Sequence, residues 1–110
     1  MTYQQLVSAL KATGFPVAYS HFKETESSPV PSPPFICYVD GPSENLIADN
    51  KVKKKLTTIE IELYTDKKDL IAEQKLEDAL DSINLPYNSD RVIWIEDEGY
   101  FQKIYEVRMI

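Results

Sequence analysis

The sequence predicts an α+β domain: a mostly antiparallel sheet with two helices packed on one face, in the order helix, three strands, helix, two strands. Three stretches carry that expectation. In residues 56–64, Ile59, Ile61 and Leu63 alternate with Glu60, Glu62 and Tyr64, which places one apolar and one acidic face on a single strand. The period then changes, and Ala72, Leu76, Ala79, Leu80 and Ile83 fall in one helical stripe. Residues 91–110 read as an antiparallel hairpin about the tight turn Asp97-Glu98-Gly99.

The first element in the chain is a helix over residues 2–13. Thr2 and Gln5 have the spacing of a capping box, and Tyr3, Leu6, Val7 and Leu10 form the apolar stripe. Gly14 is placed to close it, and Pro16 prevents its continuation. Residues 16–22 read as a short strand. Residues 23–34 hold four of the seven prolines together with Glu24 and Glu26, a composition that predicts a mobile Pro/Ser-rich loop.

Phe35-Ile36-Cys37-Tyr38-Val39-Asp40 carries bulky residues on both faces, so it reads as an internal, well-covered strand ended by Gly41-Pro42. Leu46-Ile47-Ala48 fits a brief strand or a turn of helix equally well. The next strand leads into the second helix through a turn of two or three residues. Thr65 or Asp66 is expected to cap that helix, and Pro86 to stop it. Tyr87 to Asp90 reads as a polar loop before the hairpin.

Composition bounds the function. A chain of 110 residues buries about two-thirds of its unfolded surface, enough for one domain and one core. No apolar run is long enough to span a membrane, and Met1 to Leu6 lacks the basic and apolar parts of a signal peptide. Cys37 is the single cysteine, so no internal disulfide forms and cytosolic synthesis is expected. The net charge of -6 argues against general affinity for nucleic acid.

Candidate chemistry is sparse, and no cofactor or metal is expected. His21 has only Glu24 and Glu26 near it in sequence, in a segment whose prolines hold no fixed geometry. Cys37 sits in an apolar strand with no basic neighbour, the setting of a small core residue. One Cys and one His match no zinc spacing. Glu60, Glu62, Glu96, Asp97 and Glu98 suit a solvated face better than a paired-acid mechanism. With Tyr64 they form a candidate assembly surface. Lys51, Lys53 and Lys55 alternate onto one face if a strand starts near Lys51, a candidate intersubunit basic patch or edge guard. The tyrosines at 19, 38, 64, 87, 100 and 105 suit an interface as well as sheet packing. No enzyme signature is present, and a non-enzymatic protein is expected.

Four patches together resemble a known family: Pro33-Pro34-Phe35-Ile36-Cys37-Tyr38, Ala48-Asp49-Asn50-Lys51, Ile59 to Asp69, and the Tyr100 to Val107 strand. With the first helix, they are similar to small head–tail connector (neck) or tail-completion proteins of siphophages and prophages of Gram-positive bacteria, of the tail terminator or tail-to-head joining type. The resemblance implies a structural virion morphogenesis protein, monomeric when free and assembling into a homo-hexameric ring at the head-proximal end of the tail. Its implied partners are other head–tail or tail tube proteins, and its implied place is the host cytoplasm during assembly and then the virion neck. Sequence-specific nucleic acid binding and membrane association are not expected. Under this resemblance Glu60 and Glu62, or the Glu96 to Glu98 turn, line the channel that DNA crosses. A different class of function fits the same residues: a small adaptor that binds one protein partner through its sheet edge or Pro-rich loop.

Overall fold

The computed structural model describes residues 2–22, 30–43, 46–54 and 56–109, with backbone alone for 46 and 52–54. Most of the loop expected to be mobile (23–29, with Glu24 and Glu26) and Lys55 therefore lie outside the described residues. The chain folds as α1 (Tyr3–Ala12), β1 (Val17–Tyr19), β2 (Phe35–Asp40), β3 (Leu46–Ala48), β4 (Lys51–Lys54), β5 (Thr57–Thr65), α2 (Leu70–Ser82), β6 (Tyr87–Ile95) and β7 (Tyr100–Met109). The α+β class and the two-helix, mostly antiparallel design are as the sequence predicts.

Five strands form the main sheet in the order β1-β2-β5-β7-β6. Among the described residues only the β1–β2 pair is parallel. β5 lies at the centre because both its neighbours are long: six residues pair with β2 and nine with β7. Ile59, Ile61 and Leu63 of β5 share one face with Ile36 of β2 and with Tyr105 and Val107 of β7. Leu6 and Leu10 of α1 and Ala72, Leu76 and Leu80 of α2 close over that face as a single core. Fully burying a side chain such as Leu76, at 0% exposure, stabilises the fold by about 1.5–3 kcal/mol.

The capping box of α1 is present. Gln5 N–H donates to Thr2 Oγ1 at 3.2 Å, and Thr2 N–H donates to Gln5 Oε1 at 2.8 Å. Gly14, at φ 86°, closes the helix with its N–H on the Lys11 carbonyl.

Four local expectations are corrected. The cap of α2 is Asp69, whose carboxylate accepts from Ala72 N–H at 3.0 Å, rather than Thr65 or Asp66. Thr65 is still paired with Phe101 in the sheet, so the turn spans four residues. α2 is ended by Asn84 at φ 55°, not by Pro86. Leu85 N–H reaches the Leu80 carbonyl at 3.0 Å and Asn84 N–H the Asp81 carbonyl, a left-handed closure two residues before the proline. Tyr87 to Asp90 is strand rather than loop, because β7 supplies backbone partners to Tyr87, Asn88 and Ser89 before the register shifts ahead of Val92. Finally, β4 is separate from β5. It pairs with β3 in its own two-stranded sheet, which settles Leu46–Ala48 as strand. Asp49 and Asn50, at φ 53° and 60°, form the left-handed two-residue turn that such a ribbon requires.

Candidate functional site

With both helices on one face, the chemistry of the other face is set by strand alternation. Directly opposed residues of adjacent strands project to the same side. The registers Phe35–Tyr64, Cys37–Glu62 and Val39–Glu60, continued by Tyr64–Gln102, Glu62–Ile104 and Glu60–Glu106, therefore assemble the helix-free face.

Glu62 on this face is not a freely solvated acid. Tyr64 Oη donates to Glu62 Oε1 at 3.3 Å, and Gln102 Nε2 donates both to Glu62 Oε2 at 3.2 Å and to Tyr64 Oη at 2.9 Å. Burial raises the Glu62 carboxyl above its ordinary range, opposed by the Tyr64 hydrogen bond and reinforced by the charge of Glu60. Glu60 is half-buried and is directly opposed by Glu106, a like-charged pair that extends the acidic stripe across two strands.

One end of this face holds a cavity of ≈ 480 Å³. Phe35, the first residue of β2, is its hub. Its ring stacks on Tyr64 at 4.9 Å and 22° and meets Phe22 at 5.4 Å and Tyr100 at 5.6 Å, both edge-on. Cys37, His21 and Glu98 complete the polar part of the wall. Burial, then the Glu62 charge, pushes the Cys37 thiol up to about 11 and the Tyr64 phenol up to about 12. In both groups burial thus disfavours the ionised form. His21 Nδ1 lies 3.1 Å from Ser20 Oγ. The cavity therefore joins aromatic side chains to the exposed carboxylate of Glu98.

The structure thus brings His21 and Glu98 to one cavity, a meeting that their separation in sequence did not predict. It confirms Cys37 as buried, at 3% exposure. The aromatic cavity itself was missed. Its only sequence signal was the placement of Phe35, Tyr64 and Tyr100 at strand ends, which has no meaning until the register is known.

The remaining candidates separate along the sheet axis. Glu96, Asp97 and Glu98 are exposed in the β6–β7 turn, where Gly99 N–H closes on the Ile95 carbonyl at 2.9 Å. Trp94 Nε1 donates to Glu96 Oε2 at 2.6 Å. Lys51 is exposed at the start of β4, and Lys53 follows on the same strand. The Thr65–Phe101 pairing puts the acidic turn and the cavity at one end of β5. The Asp40–Ile59 pairing puts the β3–β4 ribbon at the other.

A second polar cluster, unread in the sequence, joins α2 to β7 on the covered face. Buried Glu73 accepts from Lys68 and Lys103, each at 2.7 Å. Glu77 accepts from Tyr105 Oη at 2.8 Å and Tyr87 Oη at 3.3 Å. With every carboxylate oxygen occupied by a donor, this seam reads as a structural clamp.

Among the described residues no group of three or more His, Cys, Asp or Glu side chains could hold a metal ion. No described helix is long and apolar enough to cross a membrane. No protein-family model matches the sequence, and no match was found among curated proteins.

Proposed function

We propose that this protein is a structural subunit of the phage head–tail junction, of the tail terminator or tail-to-head joining type, that forms a ring at the head-proximal end of the tail. The observation that carries the reading is the polarity of the sheet. Lys51 is exposed on the ribbon at one end and the Glu96 to Glu98 turn is exposed at the other, so the two ends of a copy carry groups that can pair with those of the next. Unlike patches meeting head to tail generate closed rings or open filaments rather than two-fold dimers.

Large apolar side chains on the surface agree with assembly. Leu70 and Ile71, at 68% and 73% exposure, open α2, and Trp94 on β6 packs against Phe101 at 4.7 Å while remaining 46% exposed. In a ring, the Glu60–Glu106 stripe suits a channel that DNA crosses without being held, since clustered carboxylates repel phosphates.

Electron microscopy of the protein mixed with the tail tube subunit of its own phage or prophage tests the reading. Rings capping tube ends are expected. Bare tubes beside unassembled protein would overturn it, and an assembled-ring map with Glu60 on the outer wall would overturn the channel assignment.

Of the two edges of the main sheet, β1 is three residues long and β6, at nine, is the longer foothold for the adaptor reading. In β6 the row is not regular: its register shift around Asp90-Arg91 interrupts the backbone row that an added strand needs, so the ring subunit is the better account.

A further inference from the structure

We propose that the β3–β4 ribbon of one copy docks on the aromatic cavity of a second copy, placing the Lys51 ammonium among Phe35, Tyr64 and Tyr100 and beside Glu98. The contact deepens the ring-subunit reading and rests on it.

Three observations converge on this occupant. First, the ribbon is a two-stranded sheet of its own, and such a ribbon in isolation is marginally stable in water. Ile47 on it is 67% exposed, so the ribbon has surface to bury against a partner. Second, the charges are complementary. Lys51 is exposed on the ribbon, while the cavity is lined by Phe35, Tyr64 and Tyr100 together with Glu98, itself exposed in an acidic turn. An ammonium over aromatic faces beside a carboxylate is held by the ring quadrupole and by Coulomb attraction together.

Third, the placement makes the contact intermolecular. β5 starts at the ribbon end with Thr57 and reaches the cavity at Tyr64, seven residues or about 23 Å along the strand. Lys51 lies five residues before Leu56, a span of at most about 17 Å of extended chain. A ribbon tethered at the far end of β5 by a chain shorter than the strand does not reach its own cavity but can meet that of the next copy. The result is a heterologous contact, repeated around a ring.

The test is carbodiimide cross-linking of an equal mixture of isotopically heavy and light wild-type protein at rising concentration, read by peptide mass spectrometry. Sedimentation of Lys51→Glu, Glu98→Lys, the double exchange and the milder Glu98→Gln accompanies it. The expected results are heavy–light cross-links joining Lys51 to Glu98 and association that weakens as salt rises. Either single charge reversal should abolish association and the double exchange should restore it. Glu98→Gln should weaken it about tenfold, the scale of one partly desolvated charge contact. All these positions are exposed, and unchanged circular dichroism checks that each variant folds.

Association that ignores Lys51 and Glu98 would overturn this contact and leave the ring reading standing. Cross-links confined within single chains, or no cross-link between copies at any concentration, would overturn it too, with the ring reading then judged by the tube microscopy alone.

Discussion

Glu73 of α2 accepts a 2.7 Å hydrogen bond from Lys103 of β7, and the two residues are thirty positions apart in the chain. Burial alone would raise the Glu73 carboxyl, but the hydrogen bonds from Lys103 and Lys68 outweigh it and hold the group below the ordinary carboxylate range. The pair ties the helix layer to the sheet at a position where an unpaired acid would be costly.

Replacing Glu73 with Gln should destabilise the protein by about 1–3 kcal/mol at neutral pH, because the Lys103 ammonium loses its counter-charge while only 18% exposed. The sign with pH follows from the lowered folded value. The contribution is present above the unfolded carboxylate pKa of about 4.3 and is lost as pH falls through the folded one. Urea denaturation of wild type and variant should therefore converge in acid. A gap of constant size would contradict the ion-pair account.

Tyr105→Phe removes the hydroxyl that donates to Glu77 at 2.8 Å from a fully buried ring. A loss of about 1 kcal/mol is expected, readable as a drop in Tm. Burial, then the Glu77 hydrogen bond, raises the Tyr105 phenol well above its ordinary value. Its stabilising contribution is thus complete below the unfolded pKa of about 10 and is lost as pH rises through the folded value. Wild type should lose stability in alkali more steeply than the Phe variant.

Glu62→Gln should act in the other direction. The folded carboxyl is raised by burial, so the folded state prefers the neutral form, and ionisation at neutral pH costs stability. The amide oxygen keeps an acceptor for one of the two donors without the charge, and the amide NH2 can donate to Tyr64 Oη. A gain of a few tenths to about 1 kcal/mol is expected near pH 7, vanishing once acid neutralises the wild-type side chain. Chemical denaturation across that range checks it, and a destabilised variant at neutral pH would argue that the carboxylate is held ionised by its donors.

Cys37 should react slowly with disulfide reagents in the native protein. Raising the thiol from 9.0 to about 11 lowers its thiolate fraction about a hundredfold at neutral pH. Comparing the rate in buffer with that in urea measures this, and equal rates would show that the thiol is open to solvent.

The parts of the fold legible from residues were those written in local periodicity. Ile59, Ile61 and Leu63 on one face of a strand and Leu76 and Leu80 on one stripe of a helix need no partner to be recognised, because the backbone repeat itself aligns them. The Thr2–Gln5 capping box is likewise complete within one turn. Ends were less legible. Thr65, Asp66 and Asp69 all carry the oxygen that a cap needs, and the choice fell to Asp69 because pairing with Phe101 keeps Thr65 in the sheet. Tyr87-Asn88-Ser89 is polar enough for a loop, and only the hydrogen-bonding row of β7 makes it strand.

The sequence by itself determined the α+β class, the apolar faces and the charges, since these depend on side-chain type and spacing over a few residues. The tertiary structure decided which of those side chains meet. Glu73 found Lys103, Glu62 found Gln102 forty residues on, and Phe35 gathered Phe22, Tyr64 and Tyr100 around one cavity. Sheet order and register, products of the whole core, set those distances, and a one-residue slip in β5 would have turned every one of its side chains to the opposite face.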